Sequence, residues 1–264
     1  MKPYLGMFRE ELQRMFTIKY LGESVIFMLI ILALSVTTFF QQYGFQGNTL
    51  YTVFENITIG GFFLELIYIP ASFFVALNLS MDIRQKSYYL YSIRSGKGAY
   101  IIAKIVVGTI FALLVTEIAL NVMLGAGAAL LNIVDKEYYS GGADIYEDLL
   151  MNNQFLYFEI RVLFISLSSA FFTALGMMIT AIIPDKYVAI VSAYMTSIIF
   201  QKMELILRFP ESVDVSGIIG GFVRVNKSIA HSVTYIILFF VTCIAITIYG
   251  FNKIMKRRCY SEKK

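Results

Sequence analysis

The sequence predicts an all-α membrane protein with six transmembrane helices and both ends in the cytoplasm, and three observations carry that prediction. Of its 264 residues 58% are hydrophobic and 15% charged, with a mean hydropathy of +0.70, a composition outside that of soluble domains. The apolar residues gather in six runs long enough for a bilayer core about 30 Å thick, which takes roughly 20 helical residues per crossing. Most of the 22 Lys and Arg lie in alternate connections between those runs, the asymmetry that keeps positive loops inside.

The runs are 24–40, 57–81, 101–131, 162–183, 187–207 and 232–252, and helices there would satisfy their own backbone groups in lipid. Lys2, Arg9, Arg14 and Lys19 precede the first. Arg84, Lys86, Arg94, Lys97 and Lys104 follow the second, Lys186 follows the fourth, and Lys253 to Lys264 end the chain with six more cations. The opposite side keeps Lys136, Arg161, Arg208, Arg224 and Lys227. A multi-pass protein of the cell membrane follows, and no cleavable signal peptide is expected, because a long charged segment precedes the first run. The whole of 1–264 reads as one transmembrane domain without repeats.

Residues 1–22 mix Leu5, Phe8, Leu12, Met15, Phe16 and Tyr20 with Arg9, Glu10, Glu11, Arg14 and Lys19. Apolar residues every three to four positions put one greasy stripe opposite a charged face, the pattern of an amphipathic helix lying at the membrane surface. Residues 208–231 are divided by Pro210, Gly217, Gly220 and Gly221, too apolar for a free loop and too short for a crossing, so they predict a re-entrant or interfacial piece on the outer side.

The connection after the second run, "DIRQKSYYLYSIRSGKGAYIIAK", carries the most information. Asp82 and Gln85 have the spacing of a capping box, so a short cytoplasmic helix is predicted over 82–96, with Gly96 able to end it. Its apolar face would hold Ile83, Leu90 and Tyr91, rimmed by Arg84, Lys86 and Arg94. One explanation of the cations is contact with anionic lipid, but that leaves Tyr88, Tyr89 and Tyr91 unexplained. A phosphate-binding loop fails: Lys97 is followed by glycine, and "GFVRVNKS" has Asn226 where the second glycine is needed.

Ionisable groups inside spans are functional candidates by default. Glu65, Glu117, Asn121, Lys202 and Glu204 fall in the outer parts of the second, third and fifth runs. They form a candidate substrate path, or else pair structurally, Lys202 with Glu117 or Glu65. Pro70 can kink the second span, and Gly125 and Gly127 permit close helix contact. Enzyme chemistry finds no support: His231 is the only histidine, neither Cys243 nor Cys259 suggests a disulfide or metal site, and the serines of the fourth run lack a base. Nothing suggests nucleic-acid binding.

Taken together, the amphipathic start, the six runs and the charged loop closing on Lys104 resemble the permease subunits of ATP-binding-cassette transporters of the type-2 exporter class. The resemblance covers nearly the whole chain in layout, with a loose motif. It implies that 82–96 is a coupling helix, with Asp82, Arg84, Lys86, Tyr88, Leu90, Tyr91 and Arg94 meeting a separate cytoplasmic ATPase. It also implies a second permease subunit, identical or not, and an amphipathic substrate such as a peptide, bacteriocin, drug or lipid. No cofactor is expected on this chain; ATP and Mg would sit on the partner, which hydrolyses the nucleotide. Two other classes fit the residues: a channel or ion-coupled transporter using the intramembrane carboxylates, and a non-transporting peptide-binding immunity protein.

Overall fold

A computed structural model of the chain describes residues 2–45, 48–59, 65–88, 90–91, 96–134, 146–208, 210, 215–220 and 229–261. All regular structure among them is helical: α1 (Lys2–Met15), α2 (Ile18–Tyr43), α3 (Leu50–Ile59), α4 (Tyr68–Arg84), α5 (Lys97–Leu130), α6 (Glu147–Asn152), α7 (Gln154–Ile182), α8 (Lys186–Leu207), α9 (Val215–Gly220) and α10 (Ile229–Ser261). Four are long and apolar enough to cross a membrane, over Ile18–Tyr43, Gly98–Leu130, Gln154–Ile182 and Ile229–Arg258. The other two runs of the six-span reading correspond to α4, with 17 residues, and to α8, which carries Lys202 and Glu204.

The helix starts follow from capping chemistry. Thr17 Oγ1 accepts the Tyr20 N–H at the start of α2, and Asn153 Oδ1 accepts that of Leu156 at the start of α7. Asp185 Oδ1 accepts from Tyr187 and Val188 at the start of α8. Each satisfies donors that a helix cannot satisfy itself. At the other end of α7, Arg258 of α10 donates to the Ala181 carbonyl at 2.6 Å, a cation meeting an orphan acceptor. Near Pro70, Glu65 and Leu66 are helical, Ile67 is a turn with helical φ and ψ, and α4 runs from Tyr68; the proline lacks the N–H that would bond the carbonyl four residues earlier.

Helix α7 is the centre of the bundle, packed by α4, α5, α8 and α10, with Phe164, Ile165, Phe172 and Met177 fully buried. Against α8 the approach is close at one point. A Cβ on Gly176 would lie 2.8 Å from the Ala193 nitrogen, so this glycine lets two backbones approach. Of the glycines singled out from sequence, Gly127 does sit against Leu50, whereas Gly125 has open space beside it. Along α5 the exposed residues Ile102, Ile110, Leu114, Ile118 and Val122 form one apolar stripe, a surface suited to hydrocarbon rather than water.

The direction of the helices places both described ends of the chain together. Asp82 near the end of α4 meets Lys104 near the start of α5, Thr116 of α5 meets Ser169 of α7, and Arg258 of α10 meets Ala181. The bundle therefore has a basal end, with α1 and the last turns of α10, and a distal end, with α3, α6 and α9.

Three expectations change. The amphipathic helix ends at Met15, and residues 18–22 belong to α2, because Thr17 caps a new helix. Its buried row is Met7, Glu11 and Met15, while Leu5 is 65% exposed: a charge is drawn into the bundle and a leucine left out. The capping box at Asp82 does not form, since Asp82 lies inside α4, which runs on to Arg84. Lys86 then turns the chain with φ of 58°, and Ser87, Tyr88, Leu90 and Tyr91 are helical; Tyr89 and residues 92–95, Arg94 among them, lie outside the described residues. Gly96, with φ of 86°, does not close a preceding described helix but leads directly into α5. Within 208–231, Val215–Gly220 is a short helix packed on α3 and α7, and Ile229 to His231 already belong to α10.

Candidate functional site: a buried charge cluster at the basal end

Four charged side chains from three helices meet at the basal end. Helical spacing lines them up before any tertiary contact forms. Asn78 and Asp82 share one face of α4, Tyr100 and Lys104 one face of α5, and Glu11 and Met15 one face of α1, each pair one turn apart.

Asp82 is the hub. Its Oδ2 accepts from Lys104 Nζ at 2.8 Å, from the Tyr100 hydroxyl at 2.9 Å and from Arg14 Nη1 at 3.1 Å. Its Oδ1 accepts from Arg14 Nη2 at 3.0 Å, so the guanidinium grips the carboxylate with both arms. Arg14 Nη2 also donates to the Asn78 side-chain oxygen at 3.2 Å, and Ser87 Oγ donates to the Asp82 carbonyl at 3.2 Å. Lys104 Nζ lies 2.7 Å from Glu11 Oε1, a charge contact rather than an aligned hydrogen bond. Lys104, Asp82 and Glu11 are each 2% exposed, while the Arg14 side chain reaches 32%.

The cluster is electrically closed, with two cations and two carboxylates. That matters because an isolated charge buried in a low-dielectric interior costs several kcal/mol. Burial alone would raise the Asp82 pKa, but the Lys104 charge and the hydrogen bonds from Arg14 and Lys104 outweigh it and hold the carboxyl below its usual range. The Arg14 guanidinium loses solvation by burial, yet its bond to Asp82 and the charges of Asp82 and Glu11 raise its pKa further.

The cluster also fixes the segment that follows α4. Tyr91 stacks on Tyr100 with ring centroids 5.7 Å apart and planes 1° from parallel, so the chain after Lys86 is held against the start of α5. Asp82 and Tyr88, both expected at an ATPase contact, are buried at 2% and 1%. Among the described residues the exposed members of that set are Arg84, Lys86 and Leu90, with Leu90 67% exposed and Tyr91 half-buried. Sequence reasoning placed Glu11 and Arg14 on a solvated face; the one-turn spacings of Asn78 with Asp82 and Tyr100 with Lys104 were the available signal.

At the distal end the expected path residues form two groups among the described contacts. Glu65 lies near the Gln201 side chain and feels the Lys202 charge, while Glu204 Oε1 accepts the Val215 N–H at 2.7 Å and holds the start of α9. Tyr68 shares a hydrogen bond with Ser168 at 3.2 Å beside them. Glu117 stands apart, next to Ser166 and Glu159, with its Oε2 buried and without a hydrogen-bond partner. Asn121 and Glu159 line an open cavity of about 700 Å³ with Asn152, Asn153 and Gln154. A second groove of about 390 Å³ runs between α2, α3 and α5, walled by apolar side chains such as Leu32, Val36, Phe40 and Met123. Among the described residues no group of His, Cys, Asp and Glu could hold a metal ion.

Fold and site together define a protein whose described regular structure is all helical, with four helices long and apolar enough to cross a membrane, tied at one end by a neutral cluster of ion pairs. No family model, no curated protein and no solved structure matches the chain.

Proposed function

We propose that this chain is the six-span permease subunit of an ATP-driven exporter, working with a separate cytoplasmic ATPase and a second permease subunit to move an amphipathic substrate. The observation that carries the reading is the basal cluster beside an exposed, basic and apolar turn. Arg84, Lys86 and Leu90 are free to meet a partner, and the Asp82 hub one step behind them is bonded to α1 and α5. A push on the turn would be passed to three helices at once, because buried charge pairs resist separation. Asp82, Lys104 and Arg14 are positioning residues in this scheme, and the contact falls to Arg84, Lys86 and Leu90. Arginine with a large apolar neighbour suits such an interface. The basal end would face the cytoplasm of a bacterial cell, as its cations favour.

The test is affinity purification of the chain from its own membrane with mass spectrometry and an ATPase assay, beside an Arg84→Glu, Lys86→Glu, Leu90→Asp variant. A nucleotide-hydrolysing partner that is recovered with the wild type and lost with the variant supports the reading. Folded wild type that repeatedly recovers no ATPase sinks it. One observation favours a second reading: Glu117, with an unpartnered buried oxygen beside Glu159, is the kind of carboxylate an ion-coupled transporter protonates. Transport that follows an imposed proton gradient without ATP, and is abolished in Glu117→Gln, would select it.

A further inference from the structure

Two cations are fully buried among the described residues, Lys104 and Arg161, and they are treated in opposite ways. Lys104 has two carboxylates within 2.8 Å. Arg161, at 0% exposure, has no hydrogen-bond acceptor at Nε, Nη1 or Nη2 and no ion pair among the described residues. A guanidinium carries five donors and does not lose its proton in proteins, so burial cannot be relieved by neutralisation. Lys104 is completed within the chain, and among the described residues Arg161 is the fully buried cation that is not.

The surroundings of Arg161 are bracketed by its neighbours on the same face of α7. Tyr157, one turn before it, packs against Tyr51 of α3 with ring centroids at 5.9 Å. Phe164, one turn after it, meets Tyr146 at 6.0 Å, and Ser168, two turns after it, bonds Tyr68. The residue therefore lies in the distal half of the bundle, on a stretch of α7 flanked on both sides by a shell of aromatic contacts. Part of that shell belongs to α3 and to the turn before α6, short elements that separate from a bundle more readily than its long helices.

We infer that Arg161 is the anion-binding residue of a site for an amphiphile with a carboxylate or phosphate headgroup, entered from the distal end when the short elements part. The anion supplies the acceptors that the guanidinium lacks, through paired N–H bonds that suit both headgroups. The aromatic shell favours a headgroup with an apolar tail over a bare ion, which would have to give up its hydration in apolar surroundings. The inference concerns binding alone and does not need an ATPase, so it stands or falls separately from the exporter reading.

The test uses the full chain in a neutral detergent and reads the midpoint of thermal unfolding against the concentration of four probes: laurate, dodecyl phosphate, dodecyltrimethylammonium and inorganic phosphate. Wild type is expected to show saturable stabilisation by laurate or dodecyl phosphate, much weaker effects of inorganic phosphate, and none of the cation. Arg161→Met should weaken the anionic response at least about tenfold, the loss expected for a charged hydrogen bond, and Arg161→Lys should keep part of it. A stronger response to laurate identifies a carboxylate ligand, and a stronger one to dodecyl phosphate a lipid-like phosphate. An anionic response that Arg161→Met retains in full overturns the proposal, as does equal stabilisation by the cationic and anionic probes. If Arg161→Met does not fold, Arg161→Lys and the wild-type headgroup preference decide: no preference, or a response unchanged in the lysine variant, overturns it.

Discussion

The two ends of this bundle handle buried charge differently. At the base, Glu11, Arg14, Asp82 and Lys104 form ion pairs within 3.1 Å, and the helices they join cannot part without exposing unpaired ions. At the distal end Arg161 and Glu117 have no ion pair among the described residues, and short helices cover part of the core. The difference separates anchoring from reception. A charge completed inside the chain stabilises one arrangement, whereas a charge left incomplete favours whatever completes it.

The largest expected effect breaks the base. Lys104→Met leaves two carboxylates buried, Asp82 with Arg14 as its remaining cation and Glu11 with its ion pair lost, and should cost about 3–5 kcal/mol of stability. The same substitution at Arg161 should cost far less in the absence of ligand, since it removes a charge with nothing to lose. Unfolding midpoints of the two variants in detergent check this directly, and equal losses would abolish the contrast. Next comes Gly176→Ala, which puts a methyl against the α8 backbone near the base and should cost about 1–3 kcal/mol by the same measurement.

Smaller again is Arg14→Gln, expected to cost about 1 kcal/mol, because this partner is partly solvated and its pairing screened. Its cost should vanish in an Asp82→Asn background, a coupling that a double-mutant cycle reads. The smallest effect is that of pH. Asp82 is held below the usual carboxylate range, so its contribution is present at neutral pH and is lost only as pH falls through that depressed value. The unfolding midpoint should stay flat on this account from pH 8 to about 5 and fall below about 4, and Asp82→Asn should flatten that fall.

Much of the fold was legible because membrane helices announce themselves in composition. Four of the six apolar runs correspond to helices long and apolar enough to cross a membrane, and an amino-terminal helix and a short helix within 208–231 both occur. The site was legible only as a location. The loop after α4 drew notice for its cations and tyrosines, but Asp82 was assigned to a cap and Glu11 and Arg14 to a wet face. Each assignment is what local pattern gives when a partner lies far along the chain. Arg161 was set among the outer-loop charges, although it stands two turns inside α7.

Hydrophobic run lengths and loop cations, properties of neighbouring residues, determined by themselves that this chain builds helices suited to a bilayer and where its charged turn falls. Which charges face inward was decided only by tertiary structure. Arg14 and Asp82 are 68 residues apart, Asp82 and Lys104 are 22 apart, and their pairing exists only once α1, α4 and α5 pack. The same holds in reverse for Arg161, whose lack of a partner among the described residues is a property of everything packed around it. Burial turns a polar residue into either a fastening or an unmet demand, and burial is a property of the assembled bundle.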